Sequence, residues 1–114
     1  MIKTEQINII DGKKVELLCF AQYSVYVHFE GDITITVEGR FRHTHNGTED
    51  EYQAALPIIK SSLTTILECS VTAASIDPSG DLQLIFSNGD HLTVQKCPEF
   101  ESYRLKIQGE EFFA

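Results

Sequence analysis

One stretch, residues 81–95, constrains the fold more than any other part of the chain. Apolar side chains occupy every second position on both sides of an Asn-Gly pair: Leu82, Leu84, Phe86, Leu92 and Val94. Asn88 and Gly89 are the residue types that tolerate a positive φ in a tight turn. Two segments of alternating apolar and polar residues, joined by a tight turn, predict a β-hairpin.

A similar stretch precedes this hairpin by half the chain. When residues 25–35 are laid over it, Phe29 aligns with Phe86, Gly31 with Gly89 and Asp32 with Asp90, with one residue of difference at the tip. Two similar β-meanders would give this pattern. Chance similarity between strand-rich segments would give it too, so the pattern alone leaves internal duplication open.

Length and composition indicate one soluble domain, residues 1–114. No apolar run approaches the ~20 residues that a bilayer requires, and the first residues lack a secretory signal, so we expect a cytoplasmic protein. The net charge of −8 disfavours nucleic acid and membranes as partners and favours a basic protein. Three cysteines without a C-x-x-C pair indicate reduced thiols, and we expect no cofactor.

The first meander is expected over residues 7–45, and residues 7–10 are either a short edge strand or ordered coil. Ile33, Ile35 and Val37 alternate with polar side chains, which is typical of a half-buried strand. Beyond Gly39 the same phase places His43 and His45 on the inner side.

A helical connection is predicted over residues 49–67, between the two meanders. Thr48 and Glu51 form a capping box after the turn at residues 46–47. Apolar residues then recur at helical spacing, with a break near Leu56 before Pro57. The predicted fold class is therefore α+β: two antiparallel β-meanders, 7–45 and 70–108, joined by a helix packed on the sheet. The tail after residue 108 would dock on the sheet or on another subunit.

Two motifs carry a resemblance to a known group of proteins. Residues 80–92 read G-x-L-x-L-x-F-x-x-G-x-x-L, and Phe100, Glu101, Ser102 and Tyr103 follow as an aromatic-Glu-Ser-aromatic motif. Over residues 25–105 the chain resembles a family of small uncharacterised bacterial domains, loosely similar to toxin-immunity proteins. The resemblance implies no established activity. Its similarity to immunity proteins implies a protein-binding role.

We therefore predict a non-enzymatic protein-binding module, because the sequence contains neither a nucleophile elbow nor a phosphate-binding glycine loop. The candidate partner contacts gather near the second meander: Asp90, Glu99, Glu101 and Arg104. Glu101 would serve either as a contact or as the charge partner of Arg104.

The alternative is a small-ligand or metal-binding domain that uses His43 and His45. A metal would need a third ligand, for which Glu49 and Asp50 are in reach, and two histidines alone do not lead us to predict a metal. A third class is an enzyme, which would require His28 and His91 to share a cleft.

The partner could also be a second copy of the chain. Exposed strand edges favour a homodimer in which Thr34, Thr36 and the final strand pair across a twofold axis.

Overall fold

The computed structural model describes residues 2, 4–53, 62–96 and 102–113. Over these residues the chain forms two five-stranded sheets. The first half contributes Val15–Phe20 (β1), Val25–Phe29 (β2), Ile33–Val37 (β3), Arg40–His45 (β4) and Thr48–Gln53 (β5). The second half contributes Val71–Ile76 (β6), Leu82–Phe86 (β7), His91–Val94 (β8), Tyr103–Ile107 (β9) and Glu110–Phe113 (β10).

Each sheet combines a three-stranded meander from one half of the chain with a hairpin from the other half. The first sheet has the order β1-β2-β3-β9-β10, and the second has the order β5-β4-β8-β7-β6. Every neighbouring pair is antiparallel, as predicted. The two halves therefore exchange their last hairpins, and neither half completes a sheet by itself.

An isolated antiparallel bridge between Lys14 and Ser70 marks the point where the two halves meet. Val15 and Val71 each donate their backbone N–H across this bridge to a carbonyl of the other half, both at 2.9 Å. In one hydrogen bond the first half donates and the second half accepts, and in the other the two halves exchange these roles. Together with the matching strand orders, they relate the halves by an approximate twofold axis.

The inner faces of both sheets contribute to one apolar core. Its largest buried side chains include Phe29 and Tyr103 from the first sheet and Phe41 and Phe86 from the second. Short helical segments close the core in each half: α1 (Thr4–Ile7) with the 3-10 helix Asn8–Ile10, and the 3-10 helix Ser62–Ile66. No helix in the described part of the chain is long and apolar enough to cross a membrane.

The prediction of a helical connection over residues 49–67 is wrong, and with it the α+β fold class. Asn46 and Gly47 both have positive φ, 50° and 78°, which is the geometry of a two-residue type I′ hairpin turn. The chain therefore returns at once as β5, paired with β4, and Thr48 caps no helix. Residues 54–61 lie outside the described residues, and Ser62–Ile66 is only a short 3-10 helix. The described fold is nearly all β.

Two further expectations need correction. Residues 7–10 are helical, where a strand or coil was expected. β3 carries Thr34 and Thr36 but is interior, because β2 and β9 bond to its two edges, so it offers no edge for dimer formation. The tail joins the first sheet as β10, which is one of the two positions expected for it, and Phe112 packs against the core.

Candidate functional site

A buried polar network lies inside the second sheet, where the rest of the core is apolar. His43 is 0% exposed and Asp90 is 2% exposed. Nε2 of His43 lies 2.8 Å from Oδ2 of Asp90, and Nδ1 of His45 lies 2.7 Å from Oδ1. One carboxylate thus contacts two imidazoles.

The hydrogen bonds around Asp90 determine its charge. Burial raises the pKa of this carboxyl, but hydrogen bonds with Thr65, His45, His43 and Asn88 outweigh it, so the pKa lies below the ordinary value of 3.8. The ionised carboxylate can only accept, so Nε2 of His43 and Nδ1 of His45 both carry hydrogens. Thr65 adds a third donor, its Oγ1 lying 2.5 Å from Oδ2.

Three separate segments position these side chains. His43 and His45 lie on the inner side of β4, as their phase predicted. Asp90 follows the tight turn after β7, where its N–H donates to Oδ1 of Asn88 at 2.9 Å. Asn88 in turn donates to the carbonyl of Thr65 at 3.1 Å, on the 3-10 helix. The network therefore ties β4, the turn before β8 and this helix together.

One part of the network has the order of groups found in serine hydrolases. Oγ of Ser62 lies 2.8 Å from Nδ1 of His43, whose Nε2 contacts Asp90. With its hydrogen on Nε2, His43 accepts a hydrogen bond from the Ser62 hydroxyl at Nδ1 and donates one to Asp90. A Ser-His-Asp triad has the same sequence of hydrogen bonds, but with the two ring nitrogens interchanged. Two features oppose catalysis: His43 has no exposed surface, and Asp90 divides its hydrogen bonds among several donors.

The predicted contact residues do not form one surface. Asp90 is buried and cannot touch a partner, whereas Arg104 lies on the outer face of the first sheet. Glu99 and Glu101 lie outside the described residues. Among the residues that the structure does describe, no group of three or more His, Cys, Asp or Glu side chains is arranged to hold a metal ion.

A second candidate site, which we call the sheet groove, lies on the outer face of the first sheet. It has a volume of about 210 Å³, and its lining comes from four strands: Tyr26, His28, Thr34, Thr36, Arg104, Lys106 and Glu111. These positions alternate with the buried apolar residues of the same strands, which is why they share one face.

Hydrogen bonds and an ion pair order part of the sheet groove. Nδ1 of His28 lies 3.0 Å from Oγ1 of Thr34, and the rings of Tyr26 and His28 stack with centroids 6.2 Å apart. Nε of Arg104 lies 2.8 Å from Oε1 of Glu38, although its N–H does not point at that oxygen. The groove thus contains side chains that neighbouring residues hold in position, together with hydrogen-bond donors that could bind a ligand.

The second sheet has an equivalent outer face with a different arrangement of charges. Arg42 lies opposite Thr93 there, as Arg104 lies opposite Thr36 in the first sheet. Arg42 is 4.0 Å from Glu49, and the position that corresponds to Lys106 is a threonine. The second cation of this face is Arg40, two positions before Arg42, so the two sheets hold their cation pairs at different positions.

Sequence reasoning missed the sheet groove, although its signal was present. Polar residues two apart occur on three predicted strands, but only the pairing of β3 with β9 brings them together. The same topology separates His28 from His91, because they lie on the outer faces of different sheets. The shared cleft that a His28–His91 enzyme would require is therefore not formed.

A family model described as a family of unknown function, DUF6188, matches residues 7–114. The chain belongs to the DUF6188 family. Neither the curated proteins nor the solved structures include a match. The DUF6188 match extends from the end of α1 through β10, so it includes the buried network and the sheet groove together.

Proposed function

We propose that this DUF6188 chain is a non-enzymatic protein-binding module that contacts its partner with the outer face of the first sheet. The observation that carries the proposal is the sheet groove, in which uncharged donors and two cations line one face. The pseudo-equivalent face of the second sheet carries its cations, Arg40 and Arg42, at different positions along the strand. The two faces therefore present different arrangements of polar groups, and we assign the recognition surface to the first sheet.

Apolar side chains at both ends of this face support a protein as the partner. Leu17 on β1 lies opposite His28 and is 51% exposed. Phe113 on β10 lies opposite Arg104 and is 39% exposed. Exposed apolar groups beside polar ones are typical of surfaces that bind other proteins.

The net charge of the chain determines which proteins approach it most readily. A charge of −8 attracts a basic partner over long range and repels nucleic acid and anionic membranes. In an immunity-like role, a small acidic protein neutralises a basic partner in the cytoplasm. The resemblance carried by the motifs implies a role of this kind. The charge and the motifs both support that role.

The burial of its acid-base groups supports the non-enzymatic part of the proposal. His43 and Asp90 are the groups best arranged for proton transfer, but they are closed off inside the core. At the alternative ligand or metal site, His43 is buried in the same way, whereas His45 is 31% exposed. Both histidines already direct a ring nitrogen at Asp90, so a ligand there would have to break the network.

A capture experiment with two matched variants tests the proposal. We would immobilise the full chain, capture partners from lysate of its own source and compare Lys106→Glu in the sheet groove with His91→Glu on the second sheet. A genuine partner binds the wild type and His91→Glu, is lost with Lys106→Glu, and is released by salt. Equal capture by both variants, or equal loss, would overturn the proposal. Light scattering on the free chain shows whether the partner is a second copy.

A further inference from the structure

We infer that the sheet groove is a carboxylate site, which receives an Asp or Glu side chain of the partner between Arg104 and Lys106. This inference rests on the proposed binding function and names the chemistry of the contact. It concerns a partner that is basic overall and presents one carboxylate at the interface.

The strand register places the donors around one point. Thr36 lies opposite Arg104 and Thr34 lies opposite Lys106 on neighbouring strands. Tyr26 pairs with Thr36 from the other side, on β2. Directly opposite residues have Cβ atoms about 5 Å apart, so hydroxyl, guanidinium and ammonium groups can reach the same carboxylate.

Arg104 is held in place but keeps its forked end available. Its side chain is 33% exposed and its Nε sits beside Glu38. Its terminal nitrogens have no acceptor among the described residues, and Lys106 forms no ion pair with any of them. A guanidinium accepts a carboxylate by two parallel hydrogen bonds, and a pre-positioned one loses less freedom on binding.

The local charge favours a carboxylate over a phosphate. Glu38 and Glu111 are near the two cations, so the groove is about neutral before a ligand binds. A neutral groove gives a dianion no net electrostatic advantage, whereas removing a dianion from water costs more than removing a monoanion. The remaining acidic charge of the chain is screened over about 8 Å at physiological salt, so it steers the basic partner without preventing a close contact.

The second sheet provides the internal control. Arg42 lies opposite a threonine just as Arg104 does, but its neighbouring cation Arg40 lies opposite Gln53, whereas Lys106 lies opposite Thr34. A carboxylate ligand should therefore discriminate between two arginines on similar surfaces of one molecule.

A titration with three matched peptides tests the inference. We would record amide NMR spectra of the full chain with acetyl-KKEKK-amide, with its Gln version and with its phosphoserine version. The Glu peptide should shift amides of β2, β3 and β9 around the groove, the Gln peptide should not, and the phosphoserine peptide should bind more weakly. Lys106→Gln should weaken the Glu peptide about tenfold, and Arg42→Gln should leave it unchanged.

Several results would overturn the inference. These are equal binding of the Gln peptide, tighter binding of the phosphoserine peptide, equal effects of Arg42→Gln and Lys106→Gln, or no shifts with any peptide. Arg104→Lys, which keeps the charge but loses the fork, should bind less tightly than wild type in a chain that still gives dispersed spectra. A captured partner that needs Lys106, with no response to the Glu peptide, would refute the carboxylate site while the binding function stands.

Discussion

Asp90 occupies in the second half of the chain the place that Ile33 occupies in the first half. The alignment of Asp90 with Asp32 from the sequence is therefore wrong by one residue. Ile33 lies opposite Ile107 where β3 meets β9, and Asp90 contacts His45 where β8 meets β4. Both residues are 2% exposed. The fold therefore accepts either an apolar or a polar group at this point, and the network in the second sheet is not demanded by the architecture.

Replacing Asp90 with asparagine should destabilise the chain by about 2 to 4 kcal/mol. An amide has one accepting oxygen, so it cannot satisfy two imidazole N–H groups and Thr65 together. Urea unfolding measures the loss. Asp32→Asn, at an exposed turn, is the matched control and should change stability by less than about 0.5 kcal/mol. Similar values for both variants would contradict a structural role for the network.

An apolar replacement of the whole network should be tolerated. Ile33, Leu105 and Ile107 correspond in the first sheet to Asp90, His43 and His45 in the second. The triple variant Asp90→Ile, His43→Leu and His45→Ile should unfold cooperatively, with stability from equal to wild type up to about 2 kcal/mol above it, because no buried charge is left unpaired. Thermal and urea unfolding test this. A triple variant less stable than Asp90→Asn alone would show that the halves are not interchangeable here.

Asp90 should also make stability depend on acid pH. Its pKa is below the ordinary 3.8 in the folded chain, so the unfolded chain takes up a proton first as the pH falls. The contribution is complete above about pH 4 and is lost as the pH drops through the folded pKa. Urea unfolding from about pH 6 to about pH 2 should therefore show the wild type converging on Asp90→Asn. A constant difference across this range would refute the assignment.

Tyr103 should have the opposite effect at alkaline pH. Burial, with smaller contributions from the charges of Asp81 and Asp77, raises its pKa from 10.0 to about 12. The unfolded chain therefore releases this proton first, and stability is lost as the pH rises above about 10. Tyr103→Phe removes the hydrogen bond to the Gly80 carbonyl, 2.8 Å long, and should cost about 1 kcal/mol near neutral pH.

That cost of Tyr103→Phe should shrink by about 1 kcal/mol between about pH 8 and about pH 11. Denaturant unfolding at the two pH values measures it. Tyr23→Phe, at a side chain that is 64% exposed, is the control, and its difference from wild type should stay constant. A shrinking difference for both variants would mean that Tyr103 is not the group responsible.

Much of the strand content can be read from the sequence, because burial of one face imposes a period of two. Ile33 to Val37 and Leu82 to Phe86 follow that period closely, and both are strands. β5 escaped detection because it is an exposed edge strand, with Tyr52 as its partly buried aromatic residue. Without alternation, the spacing of Thr48 and Glu51 outweighed the hairpin signal of the preceding Asn-Gly turn.

The sites were harder to predict than the strands for a different reason. The inner position of His43 follows from the phase of its strand, but its contact with Asp90 crosses 47 positions of the chain. Arg104 likewise meets Thr36 only because the last hairpin joins the first sheet. Local periodicity determines which face a side chain takes, whereas the partner on that face depends on the exchange between the halves.

The exchange of hairpins also determines when the chain can fold during its synthesis. The first sheet lacks β9 and β10 until the second half has been made, and β4 and β5 must wait for the meander of that half. No stable intermediate built from the N-terminal half is available to a growing chain, so unpaired strand edges stay open until β10 has been made. Long-range strand pairing of this kind is slow to form. The nascent chain is therefore most in need of a chaperone while its second half is being synthesised.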